Sequence, residues 1–346
     1  MAVQIIDKEK INTLKKAIYD NNKKIVLLTH KNPDGDALGS ILAMYHFLKK
    51  SGQQVSMVVP NKYPDFLSWM PEISNLIVFT EKDKAALQRL KEAELMICLD
   101  FNSLTRVDHL KDHWGKFNAQ KVLIDHHPDP EEFANIVFSD TAMSSTAELV
   151  YYIIQALDSR EIPDKKIAEC LYVGIMTDTG NFSYNSSNPN TFHVVASLLK
   201  AGIRKDHIYS SVYDNFSFQR MQLLGLCLNS NMEYFPEYRT AIISITAEEL
   251  NKYDFRIGDT EGFVNYPLSI KDVIFSALFI EKKDHIKISF RSKGSFPANE
   301  FSKNHFSGGG HLNAAGGESD LSLLNALKKF RQLLPEYKAQ LLKDEG

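Results

Sequence analysis

Four segments deliver carboxylates and imidazoles at the point where an apolar run stops. Lys24-Ile25-Val26-Leu27-Leu28-Thr29 runs into HKNPDGDA, which carries His30, Asp34 and Asp36. ICLD ends on Asp100, VLIDHHP carries Asp125, His126 and His127, and GIMTDTGNF carries Asp178. Carboxylate oxygen mixed with imidazole nitrogen is a ligand set suited to manganese, with magnesium or cobalt as substitutes. Each segment also has an ordinary explanation. Pro-Asp-Gly-Asp is good turn sequence, and Asp36 suits the cap of the helix that follows. A His-His pair fits a surface, Asp178 a helix terminus, and Asp100 the cap of a helix through Leu104 and Val107. Their conjunction changes the weighing. Asp34, Asp36, Asp100 and Asp178 in one crevice would repel and raise each other's pKa values unless cations neutralised them. About two divalent ions would do so, and ions about 3.5–4 Å apart are a device for phosphoryl transfer. Gly35 is expected to permit the tight turn that sends Asp34 and Asp36 to neighbouring ions.

Such residues must converge, and the surrounding pattern supplies the means. After the first apolar run, ALGSILAMYHFLKK has helical spacing and lysines in its last turn. Residues 54–59, 76–79, 95–99 and 122–124 are further candidate strands. Strands alternating with helices predict a mainly parallel sheet, whose carboxyl ends gather ligands in a crevice. Two helical stretches follow between Ser144 and Asp178, separated near Pro163. The α/β domain is expected over 1–204, with a helical connector over 205–229 and a smaller α+β cap over 230–346. In the cap, 239–245, 272–281 and 285–291 are candidate strands, the last two joined as a hairpin by Lys282-Lys283-Asp284.

The cap holds a second informative stretch, FSKNHFSGGGHLNAAGG over 301–317. Successive glycines at 308–310 allow backbone N–H groups to converge into an anion-binding nest, and His311 follows directly. Arg291 closes its strand as a bidentate phosphate clamp. A flexible loop is the competing explanation. Lys293, Lys303 and His305 add positive charge or are solvated surface, and Phe296, Phe301 and Phe306 either stack a base or pack helices. Arg106, six residues after Asp100, either approaches the crevice or braces a loop.

In order and spacing, HKNPDGDALGS, ICLDFN, IDHHP and GIMTDTGNF resemble the four motifs of the DHH phosphoesterases, over most of the first 185 residues. The C-terminal stretch resembles the DHH-associated domain of the first subtype. The resemblance implies two manganese ions, with His30, Asp34 and Asp100 on one and Asp36, Asp100, His126 and Asp178 on the other. It places His127 toward the substrate phosphate and makes Asp125 an orienting group. Arg291, the Gly308, Gly309 and Gly310 backbone and His311 would contact substrate. The implied reaction is attack of activated water on phosphorus. The implied substrates are oligoribonucleotides of a few residues and adenosine 3′,5′-bisphosphate, with cyclic di-AMP or its linear product as the alternative. A nucleotide sensor on the same scaffold is the reading from another class, and it is disfavoured because every expected ligand is present. A homodimer is an expectation of the family alone.

Bulk properties agree with a small anionic substrate. The 346 residues carry 40 Lys and Arg against 43 Asp and Glu, a formal charge of -3. That balance argues against a broad basic surface for long duplexes. Cys98, Cys170 and Cys227 have no paired spacing, so neither zinc nor a disulfide framework is expected. The charged N-terminal stretch and the lack of a long apolar run predict a cytoplasmic chain with no membrane partner.

Overall fold

The computed structural model describes residues 6–20, 23–79, 84–158 and 163–343. It divides into two units, 1–215 and 216–346. In the first, α1 (Lys8–Tyr19) precedes β1 (Lys24–Leu28), α2 (Gly35–Lys50), β2 (Gln54–Val59) and β3 (Leu76–Val78). Then come α3 (Lys84–Glu92), β4 (Leu95–Leu99), β5 (Gln120–Asp125) and β6 (Ile136–Ser139). Four helices complete it: α4 (Thr146–Leu157), α5 (Lys165–Asp178), α6 (Pro189–Lys200) and α7 (Lys205–Tyr213).

The six strands form one parallel sheet in the order β3-β2-β1-β4-β5-β6. Ile25, Leu27, Ile97 and Ile124 face the core shared with α2, α4 and α5. Val26, Leu28, Met96 and Leu123 face the opposite core, with Leu90 and Leu110. Burial on both faces explains why these strands read as continuous apolar runs instead of alternating ones. The order reverses between β1 and β4, so their carboxyl ends open a crevice at the switch point.

Helix α2 is buried from Gly35 to Leu48, because it lies under the sheet and against α5. Close approach there needs glycine. A Cβ on Gly39 would come within 2.5 Å of the Cys170 carbonyl oxygen and 2.8 Å of the Gly174 nitrogen. Gly35 has a similar reason for being glycine, and it is not the expected one. It does not have the positive φ of a left-handed turn. A Cβ there would collide with the Thr177 side chain on α5, so the residue is small to admit a neighbour.

The second unit begins with α8 (Phe218–Asn229), β7 (Met232–Phe235), β8 (Thr240–Ile245) and α9 (Ala247–Lys252). β9 (Phe275–Glu281), β10 (Ile286–Ser292), α10 (Ala298–His305), β11 (Gly309–His311), β12 (Ala314–Ser319) and α11 (Leu323–Lys343) follow. The segment expected to be a connector is helical, and the division between units falls inside it, after Asn215. The second sheet is mixed, in the order β11-β12-β10-β9-β8-β7, with β8 and β9 parallel and the other pairs antiparallel. Phe275, Phe279 and Phe290 on one face pack with Phe296, Phe301, Phe306 and Phe330. Phe296, Phe301 and Phe306 are therefore core residues, each at most 1% exposed, and are not placed to stack a base.

Cys98, Cys170 and Cys227 are unbonded and buried. Among the described residues no helix is long and apolar enough to cross a membrane.

Candidate metal centre and phosphate-binding strand

His30 follows β1 and is almost fully buried. Its Nδ1 lies 2.7 Å from the Lys31 carbonyl oxygen. A carbonyl only accepts, so Nδ1 carries the proton and Nε2 presents a lone pair. That Nε2 is buried and makes no hydrogen bond, yet it stands 3.3 Å from Asp100 Oδ2 and 3.9 Å from Asp34 Oδ2. Asp34, not Asp36, caps α2, accepting from the Asp36 and Ala37 nitrogens at 3.0 and 3.1 Å through Oδ1.

Asp36 is thereby turned inward from the first turn of α2. Its two oxygens accept from the Thr146 and Ala147 nitrogens at 2.7 and 2.8 Å. These are orphan N–H groups of the first turn of α4, where the helix end favours negative charge. Asp100 follows β4 with φ 65, an uncommon backbone state that turns its carboxylate back over the strand ends. The Thr146 hydroxyl donates to Asp100 Oδ1 at 2.9 Å. His126 follows β5, and its Nδ1 lies 3.4 Å from the Met143 carbonyl oxygen. Its Nε2 is 3.6 Å from Asp178 Oδ2, 3.8 Å from Asp36 Oδ2 and 3.9 Å from Asp100 Oδ1.

Two ligand groups result, His30 with Asp34 and Asp100, and Asp36 with His126 and Asp178, each with its donor atoms within 4.8 Å of one another. Atoms each about 2.1 Å from one ion sit about 3–4 Å apart, so the spacing fits divalent cations. The His30 lone pair facing acceptor-only carboxylates makes the same point. In that tautomer no hydrogen bond joins them, and a cation would turn the repulsion into coordination.

The titration behaviour of the group expresses the unbalanced charge. Burial pushes the Asp36 carboxyl well above the ordinary carboxylate range, and the charges of Asp100, Asp178 and Asp34 push it further. Burial also opposes the charge on Asp100, but His30, His127 and His126 outweigh it and hold that carboxyl below the usual range. Burial opposes the charge on His30, and Arg106 adds to this, yet Asp100 and Asp34 raise its pKa. His126 is raised in the same way, against burial, by Asp178, Asp100 and Asp125. Protons are drawn in where cations would otherwise stand.

His127 has different surroundings. Its Nδ1 is 2.8 Å from Asp125 Oδ1 and its Nε2 is 2.8 Å from Arg106 Nη1. Burial, with Arg106, keeps its pKa below the ordinary value despite Asp125. Arg106 therefore reaches the crevice, which its place in the sequence had left open.

Sequence reasoning placed a helix from Ser144 but missed that its first turn belongs to the site, although Ser145-x-x-Glu148 is a helix-start pattern. Ser145 caps it through the Glu148 nitrogen at 3.1 Å, and the Glu148 carboxylate accepts from the Ser144 nitrogen and the Thr191 hydroxyl. Thr146→Val keeps the shape but leaves Asp100 without its donor. Manganese affinity is expected to fall about 10–100-fold, and Thr146→Ser to retain it. Titration with manganese followed by electron paramagnetic resonance checks this, and equal affinity in Thr146→Val would remove the threonine from the centre.

In the second unit the glycine run is a strand, not a nest. Gly309, Gly310 and His311 pair with Gly316, Ala315 and Ala314. Gly310 has φ 145, and a Cβ there would come 2.8 Å from Ala315 Cα. A Cβ on Gly308 would collide with the Gly316 carbonyl. The glycines thus let two backbones close up. The register has a second consequence. Arg291 pairs with Ala314 and Ala314 with His311, so all three side chains share one face. Arg291 and His311 flank Ala314 in a row across three strands, about 10 Å between their backbones. Lys303 and His305 lie on α10, against the opposite, phenylalanine-lined face. His305 is engaged with the Tyr337 hydroxyl at 2.7 Å.

A parallel sheet bearing Asp-His-His after β5, followed by a mixed sheet with an Arg-Ala-His row, defines the class. The chain belongs to the DHH family of phosphoesterases: residues 24–175 match the DHH family, N-terminal domain, and 241–339 the DHHA1 domain. Among curated relatives, the probable bifunctional oligoribonuclease and PAP phosphatase NrnA of Streptococcus mutans is 29% identical over 296 residues, 85% of this chain and 89% of that one. Among solved structures, an exopolyphosphatase-related protein from Bacteroides fragilis is 43% identical, with TM-score 0.92 over 98% of this chain and 99% of that one. RecJ from Thermus thermophilus in complex with Mn2+ shares the fold, at 14% identity and TM-score 0.53 over 96% of this chain and 53% of that one.

Proposed function

We propose that this chain hydrolyses phosphodiester bonds in very short oligoribonucleotides and removes a phosphate from adenosine 3′,5′-bisphosphate, using two divalent ions, manganese foremost. The observation that carries the reading is the pair of ligand groups on either side of Asp100, with the buried His30 lone pair facing carboxylates across 3.3 Å. His30, Asp34 and Asp100 would hold one ion, and Asp36, Asp100, His126 and Asp178 the other. Ions bound there would lower the pKa of a water and neutralise charge on the phosphate oxygens. The chain's own residues orient and hold. Thr146 and Ala147 fix the carboxylates of Asp36 and Asp100, Asp125 fixes His127, and Arg291 and His311 grip a phosphate of the substrate. Positioning and electrostatics supply most of the barrier reduction. The name of the streptococcal relative supports the substrate classes, and manganese in RecJ supports the ion.

A length series from dinucleotide to about twenty-mer at fixed salt, with the bisphosphate and cyclic di-AMP alongside, tests the proposal. With 40 basic against 43 acidic residues, extra nucleotides find few added phosphate contacts. Catalytic efficiency is therefore expected to fall beyond roughly five nucleotides. Equal or rising efficiency on the long members would overturn the length limit, and turnover confined to cyclic di-AMP would overturn the substrate class.

A further inference from the structure

The hydrogen bonds at His127 have a fixed direction. A guanidinium has five N–H donors and no acceptor, so at 2.8 Å from Arg106 Nη1 the His127 Nε2 must accept. The remaining proton is then on Nδ1, which donates to Asp125 Oδ1 at 2.8 Å. Asp125 is fully buried. The chain of donors therefore runs Arg106 to His127 to Asp125, and in this arrangement the imidazole has no N–H to offer a phosphate.

Arg106 is held from its backbone side as well. The Lys31 nitrogen donates to the Arg106 carbonyl at 2.7 Å, which ties this residue to the one that follows His30. The Arg106 nitrogen donates to the Ser103 carbonyl at 3.1 Å. His127 Nδ1 in turn stands 3.7 Å from Asp100 Oδ1. A partly buried guanidinium is thus anchored on the imidazole that stands beside the shared carboxylate, with one of its five donors used on the anchor.

We propose that Arg106 is a substrate-contacting residue that donates to a non-bridging oxygen of the phosphate under attack, with His127 and Asp125 as its anchor. The assignment rests on the phosphoester-hydrolase reading. The fork geometry and permanent charge of arginine suit a phosphate oxygen better than a neutral imidazole does. The ligand is the tetrahedral phosphate group, whichever nucleotide carries it.

The experiment compares full-length wild type, Arg106→Gln, Arg106→Lys and Arg106→Ala, each loaded with manganese. Manganese stoichiometry, calorimetric binding of inorganic phosphate and kcat/KM on a 5′-phosphorylated diadenylate are measured. Arg106→Gln is expected to keep its manganese, bind phosphate at least about 10-fold more weakly and lose about 100-fold in kcat/KM. Arg106→Lys should fall between, and added guanidinium should raise turnover by Arg106→Ala but not by wild type. Phosphate binding equal to wild type in Arg106→Gln would overturn the assignment. So would loss of manganese in that variant, which would make Arg106 a brace for the ligand loops. If wild type hydrolysed no phosphoester, the hydrolase reading would fail, while phosphate calorimetry would still report on Arg106.

Discussion

Asp100→Asn is expected to lower kcat/KM by about 10³-fold or more and to leave fewer than two manganese ions bound per chain. The substitution is unusually clean. Asp100 sits at φ 65, and asparagine tolerates that backbone region as well as aspartate does. Side-chain volume is preserved, so the Thr146 hydroxyl at 2.9 Å still finds an oxygen in one amide orientation. What changes is the charge and one donor atom, and both proposed ion sites would draw on that atom pair. Oδ2 faces His30 at 3.3 Å, and Oδ1 faces His126 at 3.9 Å. The metal-free variant should also melt lower than metal-free wild type, because the three histidines that hold the Asp100 carboxyl below the usual range lose the anion they share. Manganese analysis, steady-state kinetics and thermal unfolding check the three parts. Two bound ions with near-normal turnover would rule out a shared carboxylate.

Exhaustive chelation is expected to abolish hydrolysis, with manganese restoring it better than magnesium. It should also impose a pH dependence on stability. Asp36, His30 and His126 all have folded-state pKa values above their ordinary ones and outnumber His127, which is held below its own and acts in the opposite sense. A raised folded pKa gives stability that is complete below the unfolded value and is lost as pH rises through the folded one. For Asp36 the loss begins above the ordinary carboxylate range, and for the histidines above about 6.5. The melting temperature of the chelated protein should therefore fall between pH 5 and pH 8, and added manganese should flatten the slope by replacing protons with ions. Full activity after chelation, or a metal-free melting temperature that rises over this range, would count against the charge balance proposed here.

The parallel sheet was legible because strands buried on both faces are continuous apolar runs, and three of them, β1, β4 and β5, end at chemically distinctive residues. β6 (Ile136–Ser139) and β7 (Met232–Phe235) went unread because both are edge strands that are only partly buried, so neither forms a continuous apolar run. Long-range packing was hidden. Gly35 looked like a turn residue because its neighbours, Pro33 and Asp34, have turn chemistry. Its actual constraint comes from Thr177, more than 140 positions away. The glycine run at 308–310 looked like a nest for the same reason, since only the pairing with β12 makes it a strand. Arg106 and Thr146 carry no motif of their own. Their importance lies in a hydrogen bond to His127 and another to Asp100, and one-dimensional spacing does not encode either.

The contact between α2 and α5 works as a ruler. Gly39 meets the Gly174 backbone directly, and a Cβ on Gly174 would itself stand 2.9 Å from Asp36 Oδ1 and 2.5 Å from the Ala147 Cβ. Asp36, near the start of one helix, and Asp178, at the end of the other, are thus spaced by main chain against main chain. Where Gly39 crosses Gly174 no side chain is interposed to absorb a change elsewhere in the core. Selection for a larger ion, or for a wider separation between ions, would have to move an entire helix instead of exchanging a rotamer. Variation among such proteins should accordingly accumulate in the Arg291-Ala314-His311 row on the second sheet, the proposed phosphate contact, where substrate preference can drift while the spacing of the carboxylates stays the same.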